Sequence, residues 1–489
     1  MHKDGASGIE RNLDTIKTLT DNFSSEYKRD KHYKDLGTYI YPQQYVLAVG
    51  NVEFSKGLRK QVLGTGQFIA IRHVLARFLS IPGVFVAIEK YIHDCNYLSS
   101  VLNIVHSPTW LEISQTENIN EKIYPLLLYY DEFETGNPLS SHAGIHKLGA
   151  VYTSIACLPP HLASSIKYIF LFALFHYSDR LTKEGNQAAF HLVIDELKYL
   201  STVGITLNIP EFQGTIKFKL GALIGDNLGL HSVLGFVESF NAKYPCRICR
   251  ANKEQVQHMC SEDISLLRNE ENYFADVDTN NVSETGVKHK AIWYKLPDFN
   301  LFKHVAVDMM HDILEGVANY TMSLVINSLL VKKYFTLKEL NSRAESFDYD
   351  CDTNSKPPLL SSESAFKIKW KMSSIETLNY VRYFSCLISH KVPDNDEHWR
   401  LYILLRRVLD FAMTDCVDTI VCDRLRWTVT EFNSLYLQLS STPLKPKFHY
   451  LIHYPGMMQK LGPLHNLWSM RYESKHRTLK IAARSSMNR

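Results

Sequence analysis

Several familiar signatures are missing from this chain of 489 residues. It has no G-x-x-x-x-G-K-[ST], no G-x-S-x-G and no G-x-G-x-x-G, so nucleotide hydrolysis, esterase chemistry and dinucleotide binding have no motif behind them. Long apolar runs are absent too: the most apolar stretch, Tyr168 to Tyr177 (YIFLFALFHY), is too short to span a bilayer. The opening MHKDGASGIERNLD lacks the apolar core of a secretion signal. Cysteine is sparse, odd in number and scattered, with nine in all (Cys95, Cys157, Cys246, Cys249, Cys260, Cys351, Cys386, Cys416 and Cys422), which is no secreted disulfide framework. These absences point to a reducing compartment, the cytosol or the nucleus, and to no membrane partner. The formal net charge is only +3, so any nucleic-acid surface must be local rather than a property of the whole chain.

What is present is the composition of a globular protein, 45% hydrophobic and 21% charged, with no low-complexity tract to imply extensive disorder. The length allows two to four domains, or one core domain with a large insertion. Residues 1–64 are polar and weakly periodic and read as a loosely ordered leader. Residues 65–120 form a helical preface, because FIAIRHVLARFL and IPGVFVAIEKYIHDC repeat apolar residues at three- and four-residue spacing around Pro82-Gly83. From residue 121 to 261 the pattern changes. IYPLLLYYD, KLGAVYTSIACLPP and IKYIFLFALFHY read as three strands, NQAAFHLVIDELKYL as a helix, and TIKFKLGALIGD as a fourth strand ending in Asp226. Strand, strand, strand, helix, strand is the order of a ribonuclease H-like core, an α/β fold with a mixed sheet and flanking helices.

Residues 262–442 read as a mostly helical insertion into that core, opening with a polar stretch (262–300) that resembles a surface loop. Residues 443–489 return to the core with a basic tail. A helix from about Trp468 places Glu473, His476, Arg477 and Lys480 on one face and Trp468, Tyr472, Leu479 and Ala483 on the other.

Three constellations carry chemistry. Asp131 and Asp226 both end apolar strand-like runs, and in a ribonuclease H-like sheet the first and fourth strands are neighbours. Glu473 on a late helix could complete a carboxylate set for two divalent ions, which two-metal phosphoryl transfer holds about 3.5–4 Å apart. The plainer possibility is that each is an ordinary acid among 51, at a strand end or on a solvated helix face. Cys246-x-x-Cys249 is half of a zinc site, and His449-x-x-x-His453 could be the other half, with both imidazoles on one side of a helical turn. A Cys2His2 set of this kind is closed and structural; an inert cysteine pair and two ordinary histidines is the alternative. Asp308-x-x-His311 opens a predicted helix, where Asp308 either caps the backbone or, with His311, contacts DNA or orients a carboxylate.

Four blocks in order, YYDEFETGNPLSSHAGIHKLGAVY, GDNLGLHSVLGFVESFNAKYPCRIC, VDMMHDILEGV and GPLHNLWSMRYESKHRTLK, resemble the core of cut-and-paste DDE transposases of the CACTA/Mirage/Chapaev group. The resemblance covers roughly residues 65 to 489. It implies a ribonuclease H-like core with a helical insertion before the last acid, and it makes Asp131, Asp226 and Glu473 the three catalytic acids that bind Mg2+ or Mn2+. It implies structural zinc on Cys246, Cys249, His449 and His453, as in the large subunit of the V(D)J recombinase, and an auxiliary Asp-x-x-His at Asp308 and His311. The expected substrates are DNA ends of a transposable element and target DNA. Lys475, His476, Arg477 and Lys480 are the candidate DNA contacts, a homodimer would hold two ends, and the location would be nuclear. Residues 1–65 supply neither the Cys/His spacing nor the basic helix-turn-helix of a separate DNA-reading module. A transposase-derived binding module that has lost catalysis is therefore the alternative, and a nuclease without strand transfer is a third.

Overall fold

The apolar runs after residue 121 are buried on both faces, and burial on both faces is what makes them the middle of a sheet. The computed structural model describes residues 13–485 except 19, 22, 55–56, 96–99, 116–120, 136–146, 182–184 and 365–366. Within them the chain is α/β, with a seven-stranded mixed sheet and many helices. The strands are β1 (Gln43–Phe54), β2 (Gly57–Phe68), β3 (Lys122–Glu134), β4 (Lys147–Ile155), β5 (Phe170–His176), β6 (Ile205–Ile209) and β7 (Phe212–Ile224), in the spatial order β1-β2-β5-β4-β3-β7-β6. β3, β4 and β5 form an antiparallel meander. Between β3 and β7 lies the parallel pairing, from Lys122↔Ile216 to Tyr129↔Ile224, with a one-residue register shift between Leu126 and Leu127. The Gly-, Asn-, Pro- and Ser-containing segment between β3 and β4, 136–146, lies outside the described residues.

The helices that matter for the site follow in chain order. α1 (Ile71–Leu79) and α2 (Val84–Cys95) are broken where the Pro82-Gly83 pair predicts, with Gly83 at a φ of 84°. α3 (Gly185–Thr202) crosses one face of the sheet between β5 and β6 and buries Phe190, Val193, Ile194 and Leu197. α4 (Asn227–Leu234) follows β7 after a single Gly-Asp step. α5 (Glu270–Thr279) is followed by α6 (Met310–Val331), which is π-helical over Met310–Val317 and α-helical beyond. α7 (Ser374–Ile388), α8 (Glu397–Ala412) and α9 (Thr419–Leu439) complete the helical part, and α10 (Pro446–Ile452) and α11 (Met470–Ser485) bring the chain back to the sheet. By length and composition α6 could cross a membrane, but most of it is inside the protein, with Ile313, Leu314, Val325 and Ile326 fully covered. It packs against α8 as a core helix. Buried side chains from the sheet and from the helical part join in one continuous apolar core.

Two readings of the sequence are corrected here. Residues 43–54 and 57–64, which the sequence reads as loosely ordered leader, belong to β1 and β2, and this pair extends the sheet through the pairing of Gly66–Phe68 with Ala173–Phe175. Tyr45 anchors it, buried and donating its hydroxyl to the Ala189 carbonyl of α3 at 2.9 Å. Only the described residues before it, including the exposed helix Glu26–Asp35, fit the description of a leader. The polar stretch 262–300 is also more than a surface loop. Tyr273 of α5 and Trp293 have no exposed surface, and Arg268 and Asp276 are buried as a pair 2.8 Å apart.

Candidate metal centre and acid site

Cys246 and Cys249 lie on the irregular segment after α4, where the chain leaves the core and turns back. His449 lies in α10 and His453 is the residue that caps it. All four are buried, and one donor atom from each lies within 4.8 Å of all the others. His449 Nε2 and His453 Nε2 are 3.3 Å apart, Cys249 Sγ is 3.2 Å from His449 Nε2, and Cys246 Sγ is 3.7 Å from His453 Nε2. A tetrahedral zinc with Zn–N of about 2.05 Å and Zn–S of about 2.3 Å spaces its ligands about 3.3 Å (N···N) and about 3.5 Å (N···S) apart. The side chains therefore already stand at the vertices such an ion needs.

The surroundings fit as well. His453 Nδ1 donates to Glu262 Oε1 at 2.6 Å, which fixes the tautomer that leaves Nε2 free for a metal. The backbone N–H of Ile248 points at Cys246 Sγ, 3.3 Å away. Arg268, 4% exposed, donates to the carbonyls of Cys246 and Cys249 and tightens the turn between them. Burial opposes ionisation of Cys246, but Cys249 and then His449 outweigh it and hold the thiol well below its usual range. Negative charge on Cys246, with burial, pushes Cys249 up in turn. This is a buried Cys2His2 group able to bind a metal such as zinc.

The acids are assembled differently. Asp131 and Asp226 each stand two residues past the last pairing of β3 with β7, Tyr129↔Ile224; Asp226 lies just beyond the end of β7, whereas Asp131, expected at a strand end, is inside β3 and pairs with Ala150 of β4. Gly225 makes the approach possible, because a Cβ there would lie 2.8 Å from the Tyr130 carbonyl oxygen. Asp226 caps α4, with Oδ1 accepting the Gly229 N–H at 2.5 Å. Glu473 arrives on the first turn of α11, which is pinned to the sheet by Tyr472: its ring stacks on Tyr129 at 4.7 Å and its hydroxyl meets Ser154 Oγ at 2.6 Å.

Asp308 is brought in by Val305, which pairs in parallel with Leu223 at the end of β7. One of its oxygens accepts the backbone N–H groups of Met310 and Ser469, at 3.1 Å each, and the other accepts the Ser469 hydroxyl and His311 Nδ1, the latter at 2.5 Å. His311 then offers Nε2 to Glu473 Oε1 at 3.2 Å. Asp308 thus caps the π-helical turn and also orients a histidine toward a carboxylate; π-helical turns of this kind recur at functional sites.

Crowded negative charge shows in the titration of the group. Burial, and after it the charge on Asp131, pushes Asp226 up, with the Gly229 N–H opposing. Glu473 is pushed up to about 7 by burial; the His311 charge opposes this, and Asp131 and Glu315 add to it. Burial alone would lower His311, but its bond to Asp308 and the charge of Glu473 raise it to about 10, so it is an imidazolium at neutral pH. Among the described residues, only the Cys2His2 group brings three or more donor atoms within 4.8 Å of one another; the three acids do not. A two-metal site is wider than one coordination sphere. Ions about 3.5–4 Å apart with metal–oxygen bonds of about 2.1 Å put the outer carboxylates about 6–8 Å apart. A hard divalent cation suits these oxygen donors.

Of the four expected DNA contacts, His476 is corrected. It is 3% exposed, with Nε2 donating to Asp131 Oδ2 and Nδ1 accepting from Tyr152, both at 3.0 Å. The turn of α11 that carries Tyr472 against the sheet carries His476 there too, so it holds the first acid rather than a phosphate. Lys475 donates to the Ile166 carbonyl at 3.0 Å, Lys480 lies 5.7 Å from the Phe133 ring centre, and Arg477 is exposed. Next to Asp226 and His311 opens a cleft of about 430 Å³ lined also by Phe240, Tyr320, Lys445 and Lys447. Glu262, Arg247, Arg268 and the role of His476 were not found from the sequence; an acid 191 positions from its histidine leaves no local signal. Comparison with family models finds no match, and comparison with curated proteins finds none either.

Proposed function

We propose that this chain cuts and joins DNA as a DDE-type transposase, in a ribonuclease H-like core interrupted by a helical insertion over 262–442. The observation that carries this reading is that Asp131, in β3, and Asp226, just past the end of its parallel neighbour β7, stand side by side, and that the charge on Asp131 acts on both Asp226 and Glu473, the latter on the last helix beside His311. The strand order supports it: an antiparallel meander, a helix, then, after the short strand β6, a strand parallel to the first. Mg2+ or Mn2+ held by these carboxylates would neutralise charge on the scissile phosphate and make a bound water, then a freed 3′-hydroxyl, a better nucleophile.

The chain's own residues do the rest. His476 holds Asp131 through a proton on Nε2, and His311, protonated on both nitrogens, fixes Glu473 and balances its charge when no cation is present. Zinc on Cys246, Cys249, His449 and His453 is structural, because four protein ligands leave no open position. It fastens α10, and through it α11 and Glu473, to the segment that follows Asp226. Arg477 and Lys480 on α11, with Lys445 and Lys447 at the cleft, are placed to meet phosphates. Holding two DNA ends calls for a dimer, and the substrate places the protein in the nucleus.

Purified protein incubated with duplex DNA and Mg2+ or Mn2+ tests the reading. Metal-dependent nicking and joining is expected from the native chain, and a loss of about 10³-fold or more from Asp226→Asn. Equal nicking by both, or none by either, leaves a DNA- or protein-binding module that keeps the zinc without the chemistry. Nicking without joining leaves a nuclease.

A further inference from the structure

Arg247 sits between the two cysteines of the metal centre, is 1% exposed, and turns its charge inward. A buried guanidinium needs hydrogen bonds in place of water. Here Nη1 donates to Asn227 Oδ1 at 2.5 Å and Nη2 to the Ala306 carbonyl at 3.0 Å. Asn227 follows Asp226 in the chain, and its amide nitrogen donates to Asp312 Oδ1 at 2.6 Å. Asp312 follows His311 and has no exposed surface. Its other oxygen accepts the Tyr454 hydroxyl at 3.1 Å, and Tyr454 follows His453. A residue next to a ligand in each half of the metal centre therefore meets a residue next to each arm of the acid cluster, through three consecutive hydrogen bonds.

Such a chain is a poor device for stability alone, since apolar side chains of the same volume would serve as well or better. Its members touch neither a donor atom of the Cys2His2 group nor a carboxylate of the three acids. We propose that Arg247, Asn227, Asp312 and Tyr454 are positioning residues that make the divalent-ion affinity of the acid cluster depend on metal loading at Cys246, Cys249, His449 and His453. This coupling rests on the acid cluster being a divalent-ion site. Metal on the cysteines fixes the turn carrying Arg247, and Arg247 fixes Asn227 and the first turn of α4 that Asp226 caps. Metal on the histidines fixes Tyr454, which with Asn227 fixes Asp312 and the π-helical turn presenting His311 to Glu473. By linkage the effect is reciprocal, so divalent-ion binding also tightens zinc binding by the same factor.

Titrating the full chain with Mn2+, followed by the electron paramagnetic resonance signal of free Mn2+, with zinc measured on the same samples, tests the coupling. Tyr454→Phe removes one hydroxyl and Arg247→Lys keeps the charge, so both variants keep the packing of the fold. Each is expected to retain zinc and bind Mn2+ about 3- to 10-fold more weakly, and either one combined with Asp312→Asn is expected to lose less than the product of the single effects. Zinc-stripped native protein should weaken similarly. Unchanged Mn2+ affinity in both single variants, or in the zinc-stripped protein, overturns the proposal. If Asp226→Asn binds Mn2+ as tightly as the native chain, the acid cluster is no divalent site and both readings fall. If Asp226→Asn alone loses Mn2+, only the coupling falls.

Discussion

His476 holds Asp131 with one nitrogen and Tyr152 with the other, so a single imidazole sets the orientation of the first acid. Its removal leaves a buried hydroxyl without a partner and Asp131 free to turn. His476→Ala is expected to lower metal-dependent strand cleavage about 10- to 100-fold and to cost about 1–3 kcal/mol of stability, read from cleavage rates and urea midpoints. Asp312 gives a second, pH-dependent signature. Burial, and then Asp308, pushes it up to about 7, whereas an unfolded chain titrates there at about 4. Between those values the folded form holds the extra proton. The stability this group contributes is therefore fully present below about pH 4 and is lost as pH rises through about 7. Melting curves at pH 5 to 8 without added divalent ion should show Asp312→Asn gaining on the native chain as pH rises, and a constant difference would contradict this. The Cys/His group was legible because short spacings mark it, and the nearness of Asp131 to Asp226 because each follows a long apolar run of neighbouring strands. His476 was not, because periodicity groups it with Arg477 and Lys480 and cannot say that the sheet lies against that edge of the helix.

At the scale of elements, the Cys2His2 group ties a seven-residue helix to a loop about 200 positions earlier in the chain. α10 has no side-chain cap, and a helix this short draws its stability from what it packs against. Removing zinc with a chelator, or Cys246→Ser with Cys249→Ser, is expected to lower the melting temperature by about 10 °C and to open the Lys447–Phe448 bond to trypsin. Metal analysis, melting and mass spectrometry of the fragments check this. Unchanged melting with zinc absent would remove the metal from the account. The four long central runs and the long helices were readable in the sequence because burial makes their patterns continuous. The β1–β2 hairpin was not, since β1 is an edge strand, β2 pairs beyond it only through Gly66–Phe68, and GLRKQVLGTGQF offers few apolar residues. β6 is five residues long, too short for alternation to stand out. In 262–300, Tyr273 and Trp293 are isolated apolar residues in a polar stretch, and the core that surrounds them comes from distant elements.

Over the whole molecule, the parallel pairing of β3 with β7 places two acids at one edge of the core, and the return of the chain through α10 and α11 brings the third. With a net charge of only +3, the proposed DNA binding would rest on local cations around that edge. Replacing Arg477 with Glu should weaken DNA binding and reduce the slope of log affinity against log salt by about 1, measured by fluorescence anisotropy across salt concentrations. An unchanged slope would mean that Arg477 meets no phosphate. Anomalous diffraction from crystals soaked in Mn2+ tests the central claim most directly. Manganese density bounded by the carboxylates of Asp131, Asp226 and Glu473, and absent from an Asp226→Asn crystal, is the expected result. Density elsewhere, or none between these three side chains, would contradict it.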